Sequence, residues 1–302
     1  MNTSGPPTIP PERGDDLHNL ELAGRADLTL FMAGNQFMVM DDLLAAFSRE
    51  HPEVESIFYE TLPPGLELRQ ILAGGAIFRD GVIDAVPDIY SSVSEDAMLE
   101  LAAAGLIEGG GQGAGSGSSA GTGNASGASA GAGYRAYLHN RIVLMVPRGN
   151  PAGIASVADL GREDVRISQP DPENENIASH IINMYRDAGG EELVARIMEE
   201  KRSAGATLMT RVHHRETPQW TQEGRADVGP VWATEIEHAV RNGAAIEMVD
   251  PGPGLDQRAK INYYICTLRN SPRPENARKF IEFLFSGPAR GIYSSFGFEP
   301  EG

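Results

Sequence analysis

LTLFMAGNQFMVMDDLLAAF, residues 28–47, changes its period in the middle. Leu28, Thr29, Leu30, Phe31 and Met32 read as a strand, whereas Met40, Leu43, Leu44 and Phe47 recur at helical spacing. Gly34, Asn35 and Gln36 occupy the junction. The first amides of a helix have no intrahelical partner, so a strand that turns into a helix here offers donors to something else. Gly34 lets a backbone approach, and Asn35 and Gln36 bring donors and acceptors suited to a small polar ligand. Capping of its own helix is the alternative use of Asn35.

The same alternation recurs along the chain. Residues 54–60 read as a second strand, and Leu66, Leu68, Ile71 and Leu72 form an apolar helical face that stops at Gly74-Gly75. Residues 87–90 lead through Ser91-Ser92-Val93-Ser94 into a helix closed by Gly105, with Ser92 and Glu95 spaced as a capping box. Further strands are predicted over 141–146, 165–168, 226–232 and 261–268. Helices are predicted from Ile177 to Gly189-Gly190 and over 233–242, 275–285 and 288–296. Repeated strand–helix units predict an α/β fold of mostly parallel sheets flanked by helices.

Residues 109–133 contain only Gly, Ala, Ser, Thr, Asn and Gln. Such a tract cannot bury enough surface to offset its ordering entropy, which predicts a disordered loop. The Gly117-Ser118-Ser119-Ala120-Gly121 run inside it matches a nucleophile elbow only in letters, since neither a strand nor a helix flanks it.

Length and charge narrow the function classes. The 302 residues are enough for two domains, and 42 acidic against 25 basic residues give a net charge of −17, which repels phosphate backbones and makes nucleic acid an unsuitable partner. The single cysteine, Cys266, lies in an apolar run and reads as a buried core residue. Residues 1–27 are polar and proline-rich, predicting a flexible tail without the apolar stretch of a secretory signal, and no run approaches the roughly 20 apolar residues of a membrane span. His213 and His214 are adjacent, about 100° apart on a helix, so they lack the spacing of a helical zinc pair; no metal or cofactor is expected. No Ser-His-Asp order or phosphate loop stands in a structural context that would support catalysis, so no enzyme is expected.

The order of LTLFMAGNQFMVMDDLLAAF, PDIYSSVSEDAM, NRIVLMVPRGNPAGIASVADL, GRADVGPVWATEI and PENARKFIEFLFSGPARGIYSSFGFEP resembles the landmarks of type II periplasmic solute-binding proteins, closest to the molybdate-binding branch. The resemblance implies two α/β lobes joined by crossing strands near 138–141 and 263–268, with the ligand in the cleft. Lobe 1 is then 28–138 plus 267–302, including the 109–133 loop, and lobe 2 is 139–266. It further implies a monomeric, periplasmic substrate-binding protein of an ABC importer, delivering a small polar or anionic solute to permease subunits. A molybdate-like oxyanion or a small organic anion would be the cargo. The missing signal leaves a cytoplasmic ligand sensor on the same fold as the second reading.

Strand-to-helix turns and resemblance together nominate Gly34, Asn35, Gln36, Thr61, Ser91, Ser92, Asn140, Arg141, Asn174, Asn176, Trp232 and Thr234 as ligand contacts. The molybdate branch carries small hydroxyl residues where this chain has Gly34-Asn35-Gln36, and a tyrosine where it has Trp232. Asp171, Glu173 and Glu175 would repel a bare oxyanion unless they face solvent or hold a cation. A ligand with both donors and acceptors therefore suits these side chains better. Arg141 could pair with an anionic ligand group or with one of the chain's own carboxylates.

Overall fold

A computed structural model of the chain describes residues 5–109, 133–173, 175–211 and 213–301. The tract expected to be a disordered loop falls, over 110–132, outside the described residues, as does Asn174.

In chain order the elements are β1 (Thr8–Ile9), β2 (Leu17–His18), β3 (Leu28–Phe31), α1 (Phe37–Glu50), β4 (Ile57–Glu60), α2 (Pro64–Ala73), β5 (Ala76–Phe78), β6 (Gly81–Ile83), β7 (Ile89–Ser92) and α3 (Glu95–Ala103). The chain continues through β8 (Tyr134–His139), β9 (Ile142–Pro147), β10 (Ile167–Pro170), α4 (Ile177–Ala195), β11 (Thr207–Thr210), α5 (His213–Gln222), β12 (Gly229–Trp232), α6 (Ala233–Arg241) and β13 (Ile246–Val249). It ends with β14 (Asn262–Thr267), α7 (Pro274–Leu284), α8 (Gly287–Ser295) and β15 (Glu299–Pro300). Two compact units result: 1–138 with 262–292 and 300–302, and 139–261 with 293–299.

The first unit is organised by a seven-stranded sheet in the order β15-β8-β14-β7-β3-β4-β2. Its centre is parallel: Leu28 to Phe31 pair with Ile57 to Glu60, and Leu30 and Phe31 pair with Ile89 and Tyr90. The carboxyl ends of β4, β3 and β7 therefore lie side by side. β14 and β2 add antiparallel, so the sheet is mixed at its flanks. Strands buried on both faces read as unbroken apolar runs, and every residue of β3 and β4 is indeed buried. Phe47 of α1 meets Phe280 and Phe283 of α7 at ring distances of 5.0 and 5.5 Å, which fastens the C-terminal helix to this unit. Asp88 ties the same regions together: its carboxylate accepts from Thr29 N at 2.8 Å, Ser271 Oγ at 2.6 Å and Arg273 N at 3.0 Å.

The second unit holds β12-β9-β13, antiparallel throughout, and the parallel pair β10-β11. A parallel bridge between Ile167 and Val228 sets β10 beside the β12 segment. Val143, Met145, Val231, Ala233, Ile236 and Ile246 form a core cluster that seats α6 on β9. α4 is kinked where its stop was expected: Gly190 takes φ 66°, and helical residues resume beyond it.

Three expectations give way. Residues 8–26 are no flexible tail: β1 pairs with β5, β2 pairs with β4, and Ile9, Leu17 and Ala26 join the core. The second boundary between the units falls between residues 261 and 262 rather than between 266 and 267, and residues 293–299 belong with the second unit. The Ser92–Glu95 capping box does not form, because β7 runs through Ser92 and the N-cap of α3 is Ser94. Ser92 Oγ instead accepts from Ser94 N at 3.0 Å, and Glu95 takes a hydrogen bond from Tyr134 OH at 3.0 Å.

Candidate functional site

In the first unit the turn after β3 is a single 3-10 turn, Gly34–Gln36, leading into α1. Gln36 and Ser91 lie at the ends of neighbouring parallel strands and share a closed hydrogen-bonded ring. Gln36 Nε2 donates to Ser91 Oγ at 3.1 Å, Ser91 Oγ lies 2.6 Å from Tyr137 OH, and Tyr137 OH donates to Gln36 Oε1 at 3.0 Å. Each group both gives and receives, so the bonds polarise one another in a dry setting; Gln36 and Ser91 are both fully buried. Asn35 does not cap α1: its Nδ2 donates to Tyr263 OH.

Thr61 completes this group from the end of β4. An added Cβ at Gly34 would lie 2.9 Å from Thr61 O and 3.1 Å from Leu62 O, so only glycine lets the two turns touch. Thr61 is 1 % exposed, and its hydroxyl has no hydrogen-bond partner. Ser92 alternates to the opposite face from Ser91 and is taken up by its own turn.

The second unit builds a comparable arrangement from other residues. Asn140 Nδ2 donates to Thr234 Oγ1 at 3.1 Å, and Arg141 O accepts from Ala233 N at 3.0 Å, so the start of β9 holds the first turn of α6. Trp232 ends β12, is buried, and faces His180 of α4 at a ring distance of 6.2 Å. Burial, with Lys260 nearby, lowers the His180 pKa and keeps the ring neutral. Gly297, at φ 87°, packs where a Cβ would touch Glu237 Cγ at 3.3 Å and Thr234 at 3.8 Å, which places the Gly297-Phe298-Glu299 motif on α6.

Of the loop residues before α4, Asn176 is exposed and makes no side-chain cap, and Glu173 faces solvent. Asp171 Oδ1 accepts from Glu173 N at 3.0 Å. Arg141 is half-buried; its guanidinium reaches Met248 Sδ at 3.6 Å, and among the described residues no carboxylate pairs with it.

Three contributors escaped the sequence reading. Tyr137 and Tyr263 come from strands far along the chain, 101 residues from Gln36 and 228 from Asn35. Thr210 ends the short strand β11 opposite Pro170, is fully buried, and its hydroxyl has no hydrogen-bond partner. A Thr-x-x-Thr run with two apolar residues inside is its only sequence signal.

The ring at Ser91 is neutral, and its partners are an amide and a phenol rather than a base, so no activated nucleophile results. Among the described residues no group of three or more His, Cys, Asp or Glu is placed to hold a metal ion, and no helix is long and apolar enough to cross a membrane.

Residues 28–299 match the family described as bacterial extracellular solute-binding protein. Solved structures with the same fold include the periplasmic molybdate-binding protein of Azotobacter vinelandii, at TM-score 0.64 and 15 % identity over 90 % of this chain and 98 % of that one. The sulfate-binding protein SubI of Mycobacterium tuberculosis aligns at TM-score 0.64 and 17 % identity over 90 % and 86 %. Iron-bound HitA of Pseudomonas aeruginosa aligns at TM-score 0.65 and 14 % identity over 91 % and 86 %. No curated protein matches by sequence.

Proposed function

The chain belongs to the bacterial extracellular solute-binding protein family, and from that premise we propose that it captures a small polar or anionic solute outside the cytoplasm. Its role is delivery of that solute to the permease subunits of an ABC importer, as a monomer and without catalysis. The observation that carries this reading is a buried threonine hydroxyl without a partner at the carboxyl end of a strand in each unit, Thr61 after β4 and Thr210 at the end of β11. Buried hydroxyls are ordinarily satisfied, and strand ends are where ligands sit in open α/β sheets, so each is a donor held ready.

The cargo's class follows from the candidate contacts that each unit supplies by itself. Asn35, Gln36 and Asn140 are amides that give and accept, and Arg141 is a half-buried cation with no carboxylate partner among the described residues of a strongly acidic chain. A compact anion that also carries a donor, such as a protonated oxyanion or a small hydroxy acid, fits them better than a bare metal. The relatives' printed cargoes, molybdate, sulfate and iron, span both classes, so the fold leaves the choice to these side chains.

The test is thermal unfolding against molybdate, sulfate, phosphate, small hydroxy acids and ferric ion. A solute bound only to the folded protein adds roughly 2.7 kcal/mol at about 100 times its dissociation constant. Thr61→Val and Thr210→Val keep the side-chain shape and break no internal hydrogen bond, so they should leave the ligand-free melt in place and abolish the shift. Stabilisation by none of the panel, or an unchanged shift in both variants, overturns the proposal.

A further inference from the structure

Behind the 61–64 turn of the first unit lies a set of buried acids that the proposed solute contacts do not use. Glu60 ends β4, and Glu67 and Gln70 stand on α2; all three are fully buried. Gln70 Nε2 donates to Glu60 Oε1 at 3.0 Å, and Leu62 N donates to Glu67 Oε1 at 3.2 Å. Glu60 Oε2, Glu67 Oε2 and Gln70 Oε1 have no hydrogen-bond partner. These three atoms are all acceptors if the acids are ionised, and no protein donor meets any of them. Protonation removes the conflict, because a carboxylic acid carries its own donor.

The surroundings favour that state. Burial pushes the Glu60 pKa up to about 8, against the lowering effect of the Gln70 hydrogen bond. Burial raises Glu67 well above its ordinary value, and the charges of Glu60 and Asp16 raise it further. From the N-terminal turn the charge of Asp16 acts on Glu67; Asp16 pairs with Arg13 at 3.4 Å, and both are buried. From β7 comes Tyr90, itself raised by burial and by the Glu67 charge, with Cys266 and Glu100 acting on it. Tyr90 OH donates to Pro64 O at 2.8 Å, and Thr61 N donates to Asp16 O at 2.9 Å. The 61–64 turn is thus held from three sides by this group, and its carbonyls abut Gly34.

We propose that Glu60 and Glu67 form a proton-holding pair that clamps the 61–64 turn against Gly34, so that solute capture weakens as the pair loses its proton. On ionisation the O–H bond of one carboxyl breaks, its proton passes to solvent, and a buried carboxylate is left facing a second acid. Hydrating that charge requires the turn to lift, which separates Thr61 from Gly34. The proposal rests on the solute-binding reading given above.

Infrared spectra of the full-length protein test the pair without any ligand. A protonated-carboxyl C=O stretch should persist at about pH 7, above the ordinary carboxylate range. It should fade towards about pH 9 and weaken in both Glu60→Gln and Glu67→Gln. Its absence from the unaltered protein at about pH 7 overturns the pair even if neither variant folds. In unfolding titrations the unfolding constant of the unaltered protein should rise up to about tenfold per pH unit for each proton held between roughly pH 5 and 8, with a shallower rise in each variant. A band that disappears when calcium or sodium is added at constant pH would show a cation site instead and overturns the proposal. For the best solute of the panel, affinity should fall at least several-fold from about pH 7 to about pH 9 in the unaltered protein and stay level in the Glu60→Gln/Glu67→Gln double variant. Equal slopes overturn the coupling. If no solute binds at any pH while the infrared band titrates, the solute reading fails and the proton pair stands.

Discussion

The side-chain amide of Gln36 donates to the hydroxyl oxygen of Ser91 at 3.1 Å, joining the ends of two neighbouring parallel strands. Tyr137 closes the link into a ring. The consequence is mechanical: the turn before α1 and the end of β7 are one rigid body, and residues facing solvent from either are positioned by it.

Replacing Ser91 by alanine breaks two of the ring's three bonds, both buried. The expected loss is about 1–3 kcal/mol of stability, the scale of two buried hydrogen bonds at about 1 kcal/mol each. Ser92→Ala removes its bond to Ser94 N and its bond to the Tyr90 hydroxyl, which keeps Pro64 O as a partner, and should cost less than Ser91→Ala. Chemical denaturation of the two variants side by side checks the difference, and equal losses would contradict the ring.

The turn that holds Gln36 was legible because the hydrophobic period switches from a strand's to a helix's within a few residues, and the same switch marks Ser91 and Trp232. The capping box at Ser92 was misread because its letters match whether or not the strand has ended; Ser92 pairs with Tyr264 and is still in β7. Residues 8–26 hide their packing for another reason. β1 and β2 are two residues each, too short for any period, and they are held by pairing with strands whose edges the sequence does not advertise. Tyr137 and Tyr263 were missed because a hydroxyl's partner across a sheet leaves no local spacing, and Thr210 because its burial shows only once β11 is paired with β10. Unpartnered acceptors such as Glu60 Oε2 emerge only when every neighbour is in place.

Gly34→Ala puts a methyl group against the carbonyl oxygens of Thr61 and Leu62, at 2.9 and 3.1 Å, and backbone of this kind cannot rotate away as a side chain could. The 61–64 turn must shift, at a cost of about 1–3 kcal/mol typical of overpacking. Solute affinity should fall more than stability does, since the displaced turn carries Thr61. Thermal melts with and without the stabilising solute measure both effects. Unchanged affinity would remove this turn from the site.

Burial lowers the pKa of His18, His180 and His238, so each stays neutral in the fold at a pH where the unfolded chain binds a proton. Their contribution to stability is present above the ordinary imidazole value of about 6.5 and is lost as pH falls below it. Glu60 and Glu67 slope the other way over the same range. His180→Gln leaves that opposing slope in place, so subtracting its pH profile from that of the unaltered protein isolates one imidazole. The difference should favour the unaltered protein progressively as pH rises from about 5 to about 7, read by thermal unfolding. A flat difference would mean that His180 is not buried as described.

Cys266 lies in β14 opposite Tyr90, is 2 % exposed, and has its thiol pushed up to about 12 by burial. A thiol reacts through its thiolate, so both access and ionisation oppose modification in the folded state. A disulfide reagent at neutral pH should therefore label almost none of the native protein and one thiol per chain in denaturant. Because β14 is an inner strand of the seven-stranded sheet, slow native labelling should track opening of the first unit, and destabilising Ser91→Ala should accelerate it. If opening is fast and labelling samples its equilibrium, a loss of about 1.4 kcal/mol would raise the rate roughly tenfold. Rapid labelling of the unaltered protein would show that β14 is not buried as described.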